Sequence, residues 1–403
     1  MKKHYKLLIP FATLLILLAS CGQTTLSSTP EKVGLSSDTL ELASQKMQEY
    51  IDQGKLAGIA TLVMKDGKIV HRERFGFANI EEQKPFEENS IVRIFSMTKP
   101  VTAVALMTLY DEGKFELDDK LSRFIPEFAE VMVYNPETKS LEPQKDELTI
   151  RHLLTHTSGI VYGWGQSYVD SLYRVTGVGG WDSATIGDKV KIMTGLPLKF
   201  QPGTAWEYGL SIDVAGYLVE VLSGIPLDEY FKSEIFDPLH MDDTGFHVPE
   251  EKHDRFTEVY SLDEEGNLKT GGFMADAFKK PTVLFYGGAG LVSTIDDYLT
   301  FCRMLLSGGT LNGAKILEES TVKMIMSNQL PETASYNKGN GYGLAGQVNL
   351  ESGEYSWGGA ASTNFWIDPS NQMIIITYAQ LMPSDHTYAY EFNDIAKRAL
   401  VKE

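Results

Sequence analysis

Short apolar runs bounded by turn residues lie near both ends of the chain, and they restrict the fold more than any other feature. Ile59 to Met64 reads as a strand, Asp66-Gly67 as a hairpin turn and Ile69 to Arg72 as the return strand. Toward the C-terminus, Asn364 to Ile367 and Met373 to Tyr378 flank a turn at Asp368-Pro369-Ser370-Asn371. Helices accompany both hairpins. Residues 35–55 carry an apolar stripe of Leu40, Leu42, Ala43, Met47, Tyr50 and Ile51, and a last helix is expected from about Tyr388 to Val401. The middle, roughly 115–285, is mainly helical and loop-rich. Its clearest helix is Asp213 to Leu222, with Val214, Leu218 and Val221 inward and Ser223-Gly224 as its end. This order predicts an α+β fold: an antiparallel sheet built from both termini, flanked by helices, with a mainly helical inserted region.

The chain has 403 residues and a formal net charge of −18. A core of this size needs no disulfide or structural metal. The acidic balance argues against nucleic acid, which requires clustered Lys and Arg. Cys21 and Cys302 are the only cysteines, too few for a disulfide framework or a metal cluster. Cys302 sits in an apolar stretch and is expected to be a buried structural thiol.

The N-terminus reads as a targeting segment. Lys2, Lys3 and Lys6 precede an apolar run, Leu7 to Leu18, too short to span a bilayer comfortably. Leu18-Ala19-Ser20-Cys21 follows and resembles the bacterial lipoprotein box; an ordinary signal peptide cut nearby is the alternative. The resemblance implies that residues 1–20 are removed and that Cys21 carries the lipid. Residues 21–34, with the polar run Thr24 to Thr29, would then be a tether, and residues 35–403 one domain held at a bacterial membrane in the cell envelope.

Chemistry enters at Ser96-Met97-Thr98-Lys99, at the head of a helix expected from about Ser96 to Glu112. Residues three apart share a helix face, so the Lys amine can reach the Ser hydroxyl. A serine hydroxyl needs a nearby base to act as a nucleophile, and a buried Lys can help supply it. Free backbone N–H groups at a helix start also favour developing negative charge. The spacing alone is common, and an N-cap Ser beside a surface Lys has the same signature.

Four collinear blocks turn this into a resemblance: Ser90 to Asp119, Leu148 to Ile160, Gly287 to Phe301 and Trp357 to Pro369. They resemble the serine beta-lactamase-like family of class C beta-lactamases, low-molecular-weight penicillin-binding proteins and family VIII esterases, with SMTK as in the esterase-like branch. The resemblance implies catalytic roles for Ser96, Lys99 and Tyr208, the last in Trp206-Glu207-Tyr208-Gly209-Leu210. The phenol of Tyr208 would act as general base and then general acid. Leu210 stands where beta-lactamases have Asn.

The family's Lys-Thr-Gly strand aligns with Trp357-Gly358-Gly359; the literal Lys269-Thr270-Gly271 precedes its expected place and reads as a decoy. Trp357, Gly358, Gly359 and Ala360 then form a substrate-binding strand, with the N–H groups of Ala360 and Ser96 as the oxyanion hole.

No metal or organic cofactor is expected. His152 and His156 are four apart, but Leu153 stands where a zinc-protease helix carries Glu. Gly-x-Ser-x-Gly is absent. The expected function is a serine hydrolase working through an acyl-enzyme on small to medium acyl esters, because Trp357 offers no charge to a substrate carboxylate. The alternatives are a D-amino-acid peptidase, a beta-lactamase, or an inactive homologue that binds or senses a ligand. The aromatic stretch Val161 to Tyr173 either lines the acyl site or packs the insert. The sequence carries no signal of oligomeric state.

Overall fold

The computed structural model describes residues 26–271, 274 and 276–401. At its centre, eight strands form one sheet: β1 Gly58–Lys65, β2 Lys68–Asn79, β3 Lys84–Pro85, β4 Asn340–Tyr342, β5 Gln347–Asn349, β6 Tyr355–Gly359, β7 Thr363–Asp368 and β8 Met373–Tyr378. Their order is β4-β5-β6-β7-β8-β1-β2-β3, and the pairings are antiparallel. The two ends of the chain meet where β8 pairs with β1, with Ala60 opposite Tyr378 and Leu62 opposite Ile376.

Alternation along the central strands builds two cores. Ile59, Val63 and Ile375 face helices α1 (Ser37–Asp52) and α5 (Thr387–Arg398). Leu62, Ile374 and Ile376 join the larger core, which contains α2 (Thr98–Asp111), α3 (Ser211–Ser223) and α4 (Ile295–Leu306). β8 is buried on both faces, which is why it reads as an unbroken apolar run. Helix α2 is buried from Thr98 to Leu109, so its polar members Lys99, Thr102 and Thr108 find hydrogen-bond partners inside the protein. Pro100 falls in its first turn, where a missing N–H costs nothing. Cys302 is fully buried on α4, as expected.

Several expectations need correction. Ser96 lies in a separate 3-10 turn, Phe95–Met97, before α2 begins at Thr98. Leu42 is 56% exposed: it is two residues from Leu40 and so points away from the buried stripe. Val221 is 39% exposed because α3 emerges into solvent in its last turns. The supposed tether is docked from Leu26 onward: Ile69 N donates to Leu26 O at 2.7 Å and Ser28 N to Ile69 O at 2.9 Å. Cys21 and the rest of residues 1–25 lie outside the described residues. Among the described residues, no helix is long and apolar enough to cross a membrane.

Candidate active site

Phe95 precedes Ser96 with φ +41°, a conformation costly for a bulky side chain. Its ring is held edge-on to Phe278, with centroids 5.8 Å apart. The turn presents Ser96 Oγ to the two residues that the motifs paired with it. Lys99 Nζ donates to Ser96 Oγ at 3.3 Å, and Tyr208 Oη donates to the same oxygen at 2.8 Å. Lys99 is fully buried, so all three of its protons need partners. The others go to Tyr162 Oη at 3.1 Å and Gly288 O at 2.6 Å. The ammonium also lies 4.6 Å from the centroid of the Tyr208 ring.

Neighbouring buried groups hold this triangle in place. Asp213 is buried at the start of α3, and its Oδ1 accepts from Gly288 N at 2.8 Å. Burial pushes its carboxyl up to about 6, against the opposing pull of Lys99 and the Gly288 N–H. A Cβ on Gly288 would stand 2.7 Å from Asp213 Oδ2, so only glycine allows this approach. Burial also holds the Tyr162 phenol well above its ordinary value, with Tyr208 and Asp213 adding to the effect. Tyr162 therefore stays neutral while it accepts from Lys99.

Strand β6 forms one wall of the site. Ser96, Tyr208, Trp357, Gly358, Gly359 and Ala360 line one cleft of about 290 Å³. A Cβ on Gly359 would be 2.3 Å from Ile94 O, which shows how tightly the strand approaches the serine turn. Lys269 and Thr270 are exposed on a separate two-stranded hairpin, Tyr260–Leu262 with Leu268–Thr270. Leu210 is buried in the core.

His152 caps its own helix, whereas His156 packs beneath the site with its ring centroid 4.9 Å from that of Tyr208. His152 Nδ1 accepts from Thr149 N at 3.2 Å in a capping box, while His156 Nδ1 meets Ser211 Oγ at 2.8 Å. Among the described residues, no group of three His, Cys, Asp or Glu is placed to hold a metal. The aromatic stretch divides between the two expected roles. Tyr162 and Trp164 belong to the site, Tyr173 is core, and Tyr168 packs on Tyr134 at 4.8 Å.

Tyr162, Gly288 and Asp213 were not legible as site residues from the motifs. Asp213 did leave a signal: it is a carboxylate flanked by Ile212 and Val214 on an apolar helix.

The Beta-lactamase family model matches residues 43–399, in agreement with the motif resemblance. An uncharacterized protein of Mycobacterium tuberculosis is 32% identical over 361 residues, covering 84% of this chain and 89% of that protein. Esterase EstB of Burkholderia gladioli is 30% identical over 289 residues, covering 67% of this chain and 71% of EstB. Among solved structures, unliganded simvastatin synthase LovD of Aspergillus terreus superposes with a TM-score of 0.76 at 21% identity, covering 91% of this chain and 98% of LovD. With its fold, its motif blocks and a family match over nearly its whole length in agreement, the chain belongs to the Beta-lactamase family.

Proposed function

We propose that this chain is a serine ester hydrolase that works through an acyl-Ser96 intermediate. The convergence of Lys99 Nζ and Tyr208 Oη on Ser96 Oγ carries the reading. Tyr208 Oη, with the Lys99 amine beside it, acts as general base and takes the proton from Ser96 Oγ as that oxygen bonds to the ester carbonyl carbon. The carbonyl electron pair moves onto oxygen, where the N–H groups of Ser96 and Ala360 receive it. Collapse expels the alcohol oxygen, which takes its proton from Tyr208. Water then repeats the sequence on the acyl-enzyme, releasing the acid and restoring Ser96.

Ester specificity rests on Trp357, which presents an indole to the cleft where a Lys would attract a carboxylate. EstB, a relative named as an esterase, supports the same choice. Parallel assays with p-nitrophenyl butyrate, nitrocefin and a D-Ala-D-Ala peptide test it. Ester turnover should dominate; efficient peptide cleavage with negligible ester turnover would overturn the ranking.

We further propose that the enzyme is a lipoprotein of the bacterial cell envelope, anchored through Cys21. The basic N-terminus, short apolar run and Leu18-Ala19-Ser20-Cys21 support this. Labelled palmitate should enter the wild type in cells but not Cys21→Ala; equal incorporation by both would exclude the anchor.

A further inference from the structure

The cleft around Ser96 has no Lys, Arg, Asp or Glu among its lining residues. Six of those residues are aromatic: Trp164, Tyr208, Tyr336, Trp357, Trp366 and Tyr390. Trp164 stands apart because it is 71% exposed. Its indole is nonetheless held in place, stacked on Tyr162 with centroids 4.2 Å apart and planes 8° from parallel. Tyr162 is the same residue that accepts from Lys99. A fixed, solvent-facing ring beside the nucleophile is a platform for a flat apolar group.

A polar pair also faces the cleft. Asn364 Nδ2 lies 3.0 Å from His386 Nδ1. With the amide nitrogen as donor, the imidazole carries its proton on Nε2 and the pair offers one acceptor and one donor. Gly358 leaves the pair open: a Cβ there would be 2.7 Å from Asn364 Oδ1 and 3.2 Å from His386 Cε1. Burial holds His386 below its ordinary value, opposed by Asp385, so it adds no cation near neutral pH.

We propose that this cleft selects uncharged esters whose planar portion stacks on Trp164 and whose neutral polar end is read by the Asn364–His386 pair. The inference rests on the ester-hydrolase reading and adds the substrate class to it. An anionic substrate would lose its hydration in this cleft and find no cation on its walls, because Lys99 is fully buried with its protons already given to Ser96, Tyr162 and Gly288.

Two matched esters test this on the full chain: methyl 4-acetoxybenzoate and ionised 4-acetoxybenzoate at pH 7.5. The neutral ester should be preferred in kcat/KM by at least ~30-fold. His386→Lys places a cation in the cleft and should cut that preference to a third or less. Trp164→Ala should lower kcat/KM for 2-naphthyl acetate relative to vinyl acetate about tenfold, mainly through KM, while Trp164→Phe keeps most of the ratio. Melting temperatures confirm that each variant is folded. Equal turnover of the matched pair, an unchanged preference in His386→Lys, or an unchanged ratio in Trp164→Ala overturns the proposal. Failure to turn over any ester would instead remove the ester-hydrolase reading beneath it.

Discussion

The phenol of Tyr208 and the hydroxyl of Ser96 share a hydrogen bond of 2.8 Å, although 112 residues separate them in the chain. Lys99 completes the contact from the next helical turn. Tyr208→Phe keeps the ring and its packing against Trp357, whose centroid lies 5.5 Å away, and removes only the phenolic hydroxyl. It should lower kcat by about 10²–10⁴ while KM changes little, the size expected for a general acid–base group. Steady-state kinetics with p-nitrophenyl butyrate checks this; a loss confined to KM would remove Tyr208 from proton transfer.

Gly359 touches the backbone just before the serine turn. In Gly359→Ala, the new Cβ would sit 2.3 Å from Ile94 O and 2.4 Å from Thr363 Oγ1. Both neighbours are held, so the strand must shift. The expected cost is about 1–3 kcal/mol of stability, as for other overpacked sites. Turnover should fall with it, since Ala360 moves relative to Ser96. Chemical denaturation and kcat measure the two effects; an unchanged kcat would show that the strand does not set the reactive geometry.

Asp213 makes pH a probe of the site. Its carboxyl is raised to about 6 in the folded chain, from 3.8, chiefly by burial. Lys99, the Gly288 N–H, Tyr162 and Tyr286 face it. The folded state binds this proton more tightly, so the group's contribution to stability declines as pH rises from about 4 to 6. Above that window the cost is about 3 kcal/mol. Asp213→Asn should therefore melt at a higher temperature than wild type at pH 7.5, with the gap closing by pH 4. A lower melting temperature at pH 7.5 would mean that the ionised carboxylate is a net stabilising partner of Lys99.

Two histidines act in the opposite direction. Burial holds His71 and His152 at about 4, against an ordinary 6.5. His71 Nε2 on β2 is 2.8 Å from Thr61 Oγ1 on the adjacent β1. Both contribute stability that is fully present above pH 6.5 and lost as pH falls to about 4, because only the unfolded chain takes up the protons. Each is worth about 3 kcal/mol across that window. His71→Gln should weaken the pH 4–6.5 dependence of the unfolding free energy; an unaltered slope would show that His71 does not titrate on unfolding.

The sheet was legible because its central strands announce themselves. Asp66-Gly67 and the turn at 368–371 punctuate two apolar hairpins, and both were placed correctly. Strands β4 and β5 gave no such signal, having three residues each with Gly341 in the middle of β4. The docking of Leu26 and Ser28 on Ile69 was hidden for a related reason: it uses backbone groups, and the side chains there read as a polar tether. Ser96, Lys99 and Tyr208 were found through motifs. Tyr162 and Asp213 were not, because each acts through Lys99 or Gly288 at long sequence separation. Trp357 was legible as a residue of the cleft through the motif resemblance, whereas the partnership of Asn364 with His386 exists only once β7 meets the start of α5.

The proposed acyl-enzyme chemistry requires Ser96 to be an activated nucleophile, which covalent labelling reads out. A fluorophosphonate probe should add one equivalent to the folded wild type, with peptide mass mapping placing the adduct on Ser96. Labelling should be lost in Ser96→Ala and slowed by at least ~10³ in Lys99→Met, where the ammonium is gone. No labelling of the folded wild type, or an adduct elsewhere that persists in Ser96→Ala, would rule out Ser96 as the nucleophile.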